Sequence, residues 1–414
     1  MIFTGFSPNL TGRDALKALG YLVLLWKWGN MACGKNACKV EKRMEKYFRV
    51  KHTLTFDSGR TALYYALKAL DVSEGDEVLV QAYTCVVVAN SIVWTGAKPV
   101  YVDIGDDFNM DTSDLEKKIT TKAKAIIVQH TYGIPADLNG IREIAKKHGL
   151  KIIEDCAHSF GAKYNGKLTG TIGDIGMFSF GSDKILSCVR GGALITNDAS
   201  AGAKLKEYQD GLKPLARKFI VQHLAHYPIF YLGKLLYGIW IGKIILGISK
   251  KLGLMNKIIT KNEKVGKRDE LFACALPNAL ADILLNQLDE VEQVNARRRE
   301  IAKLYGDEIS AKALKPLGDS EIGNDAVVLR YPILVNDQIG LMKYAKRHKI
   351  LLGDWYDSVI APRDIRMENT GYNLGSCPRA ESLAKKIVNL PVGRHIGKRE
   401  AKKVIKAINN FLDK

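Results

Sequence analysis

A lysine in a loop of small residues is the first group in this sequence that could do chemistry. Lys184 ends the run Phe178-Ser179-Phe180-Gly181-Ser182-Asp183-Lys184, and two glycines, Gly191 and Gly192, follow shortly afterwards. This run predicts a strand that leads into a tight loop. A lysine on such a loop, near a cationic cofactor, can have a lowered pKa and serve as an amine nucleophile. Most lysines are solvated surface charges, so residue type alone leaves both interpretations open.

Two carboxylates end an apolar strand earlier in the chain. The run Ile152-Ile153-Glu154-Asp155 is followed by Cys156-Ala157-His158, which places His158 three residues after Asp155. A carboxylate at a strand end can stay ionised beneath a pyridinium nitrogen and keep that nitrogen protonated. A helix cap or a metal ligand are the alternatives. No other histidine or acid stands nearby at ligand spacing, so no metal site is predicted.

A turn of small residues precedes a helix in the sequence Asp57-Ser58-Gly59-Arg60-Thr61. Small residues at a helix start allow backbone N–H groups to reach a phosphate, and the helix dipole adds to that attraction. A serine before a helix is also an ordinary N-cap. Both interpretations remain open for this turn.

These three groups fall within a region of alternating strands and helices. The pattern predicts strands at 53–56, 77–81, 99–102, 125–128, 151–154, 177–180 and 192–196, with helices at 61–70, 86–95, 112–119 and 138–148. Such alternation is typical of an α/β fold with a mostly parallel sheet, whose ligand sites lie at the carboxyl ends of the strands. One long amphipathic helix is predicted over 278–305. Segments 327–335, 341–348 and 401–411 predict a smaller α+β domain.

The order of phosphate turn, strand-end acid and Ser-x-x-x-x-Lys resembles the fold-type-I pyridoxal-phosphate enzymes. More narrowly, the chain resembles the DegT/DnrJ/EryC1/StrS family of sugar aminotransferases. The resemblance runs from about residue 48 to the C-terminus, and the segment near 205–270 lies outside it. Stretches that match the family pattern are Gly75–Val80, Gly96–Asp103, His130–Asp137, Glu154–His158, Phe178–Phe180 with Lys184, Gln287-Leu288 and Leu390-Pro391.

This resemblance implies a cofactor, pyridoxal 5'-phosphate, and a role for each site residue. Lys184 would bond to the cofactor and move the proton, Asp155 would pair with the pyridine nitrogen, and His158 would stand beside the ring. Residues Ser58, Gly59, Arg60 and Ser179 would hold the phosphate, with Arg60 as an added counter-charge, and Cys85 would occupy the position of a stacking aromatic. The resemblance also implies a homodimer, a keto-sugar substrate and an amino acid donor, usually glutamate.

Three family motifs are altered in this chain. Besides Cys85, where Tyr83 is the nearest aromatic, the usual Gly-Glu-Gly-Gly reads Val189-Arg190-Gly191-Gly192. The usual Asn-Tyr-Arg-Met reads Ala273-Cys274-Ala275-Leu276. That segment of the family reaches the neighbouring subunit's site. Some relatives replace the lysine by histidine and carry out dehydration, so the presence of Lys184 favours transamination.

The charges and the cysteines of the chain indicate its compartment and exclude some kinds of partner. The chain has 62 basic and 44 acidic residues, and twelve basic residues but one acid lie between Lys213 and Arg268. The seven cysteines are scattered and odd in number, which favours a reducing compartment over a disulfide framework. No signal peptide is predicted, because the first residues are polar and the apolar run at 21–26 is short. The basic stretch matches no nucleic-acid reading module, so nucleic acid is not predicted as a partner.

An apolar, aromatic stretch at 219–248 interrupts the α/β pattern. It carries only two charges, Lys234 and Lys243, with basic residues on both flanks that include Lys257. This composition predicts helices that lie in the interface of an anionic membrane. A helical hairpin packed on protein is the alternative, and a membrane span is a third, although Pro228, Gly233, Gly238 and Gly242 interrupt it.

The predicted organisation has four parts: an N-terminal helical segment at 1–47, a large cofactor domain at 48–212 and 266–290, a basic apolar insert at 213–265, and a small domain at 291–414. The predicted function is conversion of a nucleotide- or lipid-linked keto-sugar to an amino-sugar, for a surface polysaccharide or glycolipid. A pyridoxal-phosphate-dependent sugar dehydratase or lyase, and a non-catalytic sensor that keeps the fold, are the alternatives. We expect a cytoplasmic protein that is peripheral on the inner face of the membrane.

Overall fold

The structure, a computed structural model, describes residues 1–5, 9–255, 258–313 and 326–414. Lys257 and residues 314–325 of the predicted small domain lie outside these ranges. The helices are α1 (Gly12–Val23), α2 (Asn36–Phe48), α3 (Gly59–Ala69), α4 (Val86–Val93), α5 (Thr112–Lys118), α6 (Leu138–His148), α7 (Ala199–Asp210), α8 (Arg217–Leu235), α9 (Ile241–Lys251), α10 (Lys261–Lys264), α11 (Asn278–Asp289), α12 (Val291–Glu308), α13 (Gln338–Arg347), α14 (Pro378–Ala384) and α15 (Lys398–Leu412).

The strands are β1 (Ile2–Phe3), β2 (His52–Phe56), β3 (Glu77–Gln81), β4 (Thr84–Cys85), β5 (Lys98–Val102), β6 (Ala123–Gln129), β7 (Lys151–Asp155), β8 (Lys163–Tyr164), β9 (Lys167–Leu168), β10 (Ile175–Ser179), β11 (Gly192–Thr196), β12 (Lys213–Pro214), β13 (Cys274–Ala275), β14 (Tyr331–Leu334), β15 (Ile350–Leu351), β16 (Ile360–Ala361) and β17 (Ile387–Leu390). Short 3-10 turns cover Leu25–Asn30, Thr131–Gly133, Tyr237–Ile239 and Met367–Thr370.

Seven strands form the central sheet, in the order β2-β11-β10-β7-β6-β3-β5. Strand β11 runs antiparallel to both of its neighbours, and the other pairs are parallel. The interior strands are buried along most of their length, because helices cover both faces of a parallel sheet. The predicted α/β fold with a mostly parallel sheet is confirmed. Strand β7 lies in the middle of the sheet and ends at Asp155, opposite Gln129 and Met177.

Several elements follow directly from local chemistry. Helix α6 begins where Asp137 accepts a hydrogen bond from the N–H of Gly140, and it ends at Gly149, whose φ of 67° is in the left-handed region. Both signals are visible in the sequence, and the predicted range 138–148 matches the helix. The predicted ranges of β3 and β11 match as well.

The single long helix predicted over 278–305 is wrong, because two helices meet at Glu290. The backbone of Glu290 has φ −110° and ψ 6°, and its carboxylate pairs with Arg394 at 2.5 Å. The break lets α11 pack against α2 while α12 packs against α15. An apolar period that continues across one irregular residue does not reveal such a change of direction.

The strand predicted at 327–335 is shorter than expected. Only Tyr331–Leu334 pair with β17 in an antiparallel ladder. The N–H groups of Val327 and Leu329 instead donate to the carbonyls of Gly133 and Tyr132, which belong to the loop after β6. These bonds tie the C-terminal part of the chain to the carboxyl edge of the central sheet.

The apolar stretch at 219–248 forms α8 and α9, joined by the 3-10 turn Tyr237–Ile239. Helix α8 packs against both α1 and α9. In the part of the chain that the structure describes, no helix combines the length and apolar character needed to cross a bilayer.

Candidate active site

A cleft of about 840 Å³, its open mouth included, lies at the carboxyl ends of β2, β7 and β10. Seven of the eight predicted cofactor residues line it: Ser58, Gly59, Arg60, Cys85, Asp155, Ser179 and Lys184. His158 is not among the lining residues. The structure therefore brings together side chains from three motifs that are far apart in the sequence.

Lys184 reaches the cleft from the loop after β10. Its backbone N–H donates to the carbonyl of Gly181 at 3.1 Å, which closes a tight turn. Among the described residues, none forms a hydrogen bond or an ion pair with its Nζ atom. The amine is therefore available to a molecule in the cleft.

Asp155 lies at the end of β7 and is almost fully buried. The N–H of Ala157 donates to its Oδ1 atom at 3.0 Å, whereas no described residue donates to Oδ2. Burial raises the pKa of Asp155, while the Ala157 N–H and the charge of Lys184 act to lower it. A cationic N–H placed against Oδ2 would offset burial and keep this carboxylate ionised.

His158 lies behind the cleft wall, between the rings of Tyr132 and Tyr356. Its Nδ1 atom accepts from the N–H of Tyr132 at 3.3 Å, and its Nε2 atom lies 3.5 Å from the hydroxyl of Tyr356. Burial, aided by the nearby charges of Lys184 and Arg330, lowers the pKa of His158 well below its usual range. The imidazole is neutral, with its proton on Nε2 because Nδ1 accepts a bond.

The turn before α3 serves both as a helix cap and as a cradle. The Oγ atom of Ser58 accepts from the N–H of Thr61 at 3.3 Å, so the cap is present. The N–H groups of Gly59 and Arg60 have no acceptor among the described residues and open toward the cleft. A Cβ atom at Gly59 would lie 2.8 Å from the Cβ of Ser179, so the close approach requires glycine. The arrangement suits an anion at a helix N-terminus.

Arg60 already has a protein partner. Its guanidinium forms an ion pair with Glu263, and Nη2 donates to the carbonyl of Ile258 at 2.6 Å. Burial acts to lower the pKa of Arg60, but the charge of Glu263 raises it above its usual value. Ile258 and Ile259 also line the cleft. The residues that follow α9 are thus part of the cleft wall, and Glu263 offsets the charge expected to face a phosphate.

Two aromatic residues that the sequence analysis missed, Trp355 and Tyr356, line the cleft together with Cys85. They are placed by the pairing of β16 with β4, since the carbonyl of Val359 accepts from the N–H groups of Tyr83 and Thr84. Tyr83 itself is buried behind them. Burial raises the pKa of the Cys85 thiol to about 11, so the thiol stays protonated. The two adjacent aromatic residues at 355–356 are visible in the sequence. Because they lie far along the chain from the other cleft residues, the sequence alone did not place them in the cleft.

The altered motif at Arg190 forms an internal clamp. Its Nε and Nη2 atoms donate to Oδ2 of Asp57 at 2.9 and 2.6 Å, and Nη2 also donates to the carbonyl of Leu271. Cys274 completes the clamp, because its N–H donates to Oδ1 of Asp57 at 3.2 Å. Two departures from the family pattern therefore meet at one residue, directly before the Ser58 turn.

Another residue that the sequence analysis missed, Asn9, holds the lysine loop in place. The Nδ2 atom of Asn9 donates to the carbonyl of Lys184, and its Oδ1 atom accepts from Arg298 at 2.8 Å. Arg298 is fully buried and also donates to three carbonyls of the C-terminal part of the chain, at Val328, Leu329 and Val392. The position of Lys184 is thus linked to the N-terminal segment.

A buried group beneath the sheet has ligand types that suit a metal, namely His130, Glu154 and Cys156, whose atoms lie within 4.8 Å of one another. The Glu154 carboxylate accepts from His130 Nε2 at 3.1 Å and from three backbone N–H groups, at Gly170, Ile172 and Gly173. The Nδ1 atom of His130 accepts from the N–H of Ala136. These hydrogen bonds already use the His130 and Glu154 atoms that would bind an ion, which favours a structural role for the group.

Comparison with known proteins agrees with this fold. The model of the DegT/DnrJ/EryC1/StrS aminotransferase family matches residues 19–225 and 258–409. GDP-perosamine synthase of Escherichia coli O157:H7 is 41% identical over 47% of this chain and 52% of its own length. The pleiotropic regulatory protein of Geobacillus stearothermophilus is 30% identical over 90% of this chain and 88% of its own length.

A solved aminotransferase from Psychrobacter cryohalolentis has a TM-score of 0.76 at 22% identity, covering 98% of each chain, which shows a shared fold. The chain spans about half the length of GDP-perosamine synthase and similar curated relatives. The family model, by contrast, matches most of the chain on both sides of residues 226–257. This chain is a member of the DegT/DnrJ/EryC1/StrS aminotransferase family.

Proposed function

We propose that this protein is a pyridoxal 5'-phosphate-dependent aminotransferase that converts a keto-sugar into an amino-sugar with an amino acid donor. One arrangement carries the proposal: a single cleft holds an amine, a carboxylate oxygen and a helix start, none of which has a partner among the described residues. These are the Nζ atom of Lys184, Oδ2 of Asp155 and the first N–H groups of α3.

The residues of the cleft fit pyridoxal phosphate in chemical type. The amine matches an aldehyde, the carboxylate matches a protonated pyridine nitrogen, and the N–H groups match a phosphate. Small residues at 59, 179 and 181 leave room for the phosphate end. Trp355, Tyr356 and the apolar residues at 87–88 supply the walls on which a flat ring can pack.

Bound pyridoxal phosphate supplies an aldehyde that amines attack and a ring that withdraws electrons from the substrate. Asp155 would hold the pyridine nitrogen in its protonated form. The Nζ atom of Lys184 would hold the aldehyde carbon until the incoming amine takes its place, and as a free amine it would then move the proton between the two carbons that flank the transferred nitrogen. Neutral His158 supports the aromatic wall through Tyr356 rather than exchanging protons in the cleft.

The proposed substrate is a keto-sugar on a nucleotide or lipid diphosphate carrier, and the proposed donor is glutamate. The name of the relative GDP-perosamine synthase supports a nucleotide carrier. We propose a homodimer as the working unit, as the family resemblance implies. Sedimentation velocity would measure the mass of the protein in solution and so test for the homodimer.

The test follows the fate of nitrogen. Purified protein with pyridoxal phosphate should absorb at about 410–430 nm, as expected for a lysine-bound cofactor. This band should be absent in Lys184→Ala and present in Lys167→Ala, a control at an exposed lysine. Glutamate should abolish the band, and 15N from labelled glutamate should appear in the sugar product.

Two outcomes would overturn the proposal. A product that has lost water but contains no 15N would indicate a dehydratase or lyase. A protein that binds the cofactor yet turns over none of the nucleotide- or lipid-linked keto-sugars would indicate a sensor, as the regulatory name of one full-length relative suggests.

A further inference from the structure

Exposed apolar residues are concentrated in two stretches of the chain. Among the described residues, sixteen of the twenty exposed large apolar side chains belong to 12–30 or 217–258. We call the exposed surface of these two stretches the apolar face. Trp26 and Trp240 on it are 75% and 69% exposed. Monomeric proteins rarely leave so many large apolar groups together in water without a partner for them.

The two stretches pack against one another and form one structural unit. Helix α8 contacts both α1 and α9. A Cβ atom at Gly12 of α1 would lie 3.1 Å from the hydroxyl of Tyr231 in α8. A Cβ atom at Gly233 of α8 would lie 2.8 Å from the side chain of Leu246 in α9. The N-terminal helix and the insert therefore present their exposed residues from neighbouring elements.

Each outer helix has its apolar residues at helical spacing on the exposed side. Helix α1 exposes Leu16, Leu19 and Val23, while its buried residues face the protein. Helix α9 and the residue after it expose Ile241, Ile244, Ile248 and Leu252. This is the pattern of surface helices that bury one apolar stripe in a lipid interface.

The charges of this unit have a single sign. Residues 12–30 and 217–251 contain nine basic residues and one acid, Asp14. Asp14 is 1% exposed and caps α1, so it adds no negative charge to the surface. Lys243 lies 3.6 Å above the ring of Trp240, which places an ammonium group beside an exposed indole. Indole rings and lysines in this arrangement suit the headgroup layer of a membrane.

We propose that the apolar face binds the surface of an anionic membrane, with α1 and α9 lying in the interfacial layer. Apolar side chains enter the acyl boundary, and the basic residues meet phosphate headgroups. The family model matches the chain on both sides of residues 226–257 but not within them. The segment that carries most of the face is thus additional to the shared fold. This inference is independent of the proposed catalytic function.

A second copy of the chain is a poorer occupant of this face. In a symmetric dimer the same patch meets itself. Lys17 and Lys218 are paired with Asp282 and Glu270, but the seven other basic residues on each copy would approach one another with no exposed acid in these stretches to neutralise them. Anionic lipid removes that repulsion and satisfies the same charges.

The test uses the full-length protein and co-sedimentation with vesicles of phosphatidylglycerol and phosphatidylcholine, compared with phosphatidylcholine alone. Binding is expected only to the anionic vesicles and should weaken with salt. The triple variant Lys243→Glu, Lys250→Glu, Lys251→Glu should bind on the order of 100-fold more weakly, since each basic residue near the surface contributes about fivefold. The double variants Ile244→Ser with Ile248→Ser, and Leu19→Ser with Trp26→Ser, should each lose at least about tenfold.

Matched controls test whether vesicle binding depends on the apolar face or only on the net charge and the number of exposed apolar residues. The variant Lys402→Glu, Lys403→Glu, Lys406→Glu changes net charge equally on exposed positions of α15, and Ile339→Ser with Leu374→Ser removes exposed apolar residues elsewhere. Both should bind vesicles as the unaltered protein does. Equal losses in the controls would overturn the proposal. So would face variants that alter sedimentation mass while vesicle binding stays unchanged, because a second copy would then cover the face.

Discussion

Replacing Glu263 by alanine should destabilise the protein far more than its single position on a short helix suggests. Its carboxylate is 2% exposed and pairs with Arg60, which is 12% exposed in the cleft wall. The other oxygen accepts from the N–H of Thr260 and closes the capping box of α10. The substitution therefore leaves one buried guanidinium without its counter-charge and the N–H of Thr260 without its acceptor.

The magnitude follows from these two losses. Removing one partner of a buried ion pair costs about 3–5 kcal/mol, because the remaining charge is no longer compensated. Loss of the hydrogen bond to the N–H of Thr260 adds about 1 kcal/mol. With an unfolding entropy of about 2.1 cal/mol/K per residue, the 414 residues give a decrease in Tm of roughly 4–7 °C.

Thermal and urea unfolding of cofactor-free protein measure this effect. The control is Asp364→Ala, which removes the exposed partner of Lys264 in the same segment and should leave Tm unchanged. The double variant Arg60→Met with Glu263→Leu should be more stable than Glu263→Ala, because no buried charge remains. A Tm for Glu263→Ala equal to that of Asp364→Ala would contradict this prediction, because it would show that the Arg60–Glu263 pair contributes nothing to stability.

Three other substitutions test separate parts of the site. In Asn9→Ala, Arg298 loses one hydrogen-bond acceptor and the carbonyl of Lys184 loses its donor. The free energy of unfolding should therefore fall by about 1–3 kcal/mol. Attachment of the cofactor, followed by stopped-flow absorbance, should also be slower. Asp155→Asn should raise the Tm of the cofactor-free protein at pH 7 and lose that advantage as pH falls. Burial raises the pKa of the Asp155 carboxyl in the native state, so the native state binds more protons than the unfolded state. The stability of the unaltered protein therefore declines with rising pH, whereas the asparagine variant does not lose stability in this way. An unchanged Tm at pH 7 would contradict this sign. Glu154→Gln disrupts the acceptor of three backbone N–H groups and should lower stability by at least about 3 kcal/mol, measured by urea unfolding; a smaller loss would mean that the buried group is not structural.

The parts of this fold that local signals determine could be predicted from the sequence. An aspartate cap and a left-handed glycine bound α6, and the buried strands β3 and β11 have apolar runs at their centres, Val78–Val80 and Ala193–Ile195. The gathering of Ser58, Asp155 and Ser179 also follows, since each comes at or just after the carboxyl end of a strand in one sheet, and parallel strands share that edge.

The remaining features depend on contacts between distant parts of the chain. The break at Glu290 reflects different packing partners for α11 and α12. Trp355 reaches the cleft through the pairing of β16 with β4, and Asn9 meets the lysine loop across 175 positions. Glu263 belongs to a stretch whose composition suggested only surface chemistry. None of these contacts leaves a periodic pattern or a motif, so sequence reasoning could not find them.

The central claim is that Lys184 is the amine that bonds to pyridoxal phosphate, and chemical trapping tests it most directly. The protein is incubated with stoichiometric pyridoxal phosphate, reduced with borohydride, digested and mapped by mass spectrometry. We expect the cofactor to be fixed on the peptide that contains Lys184, and Asp155→Asn to retain this site with weaker cofactor binding. Labelling spread over surface lysines, with Lys184 unmodified, would contradict it.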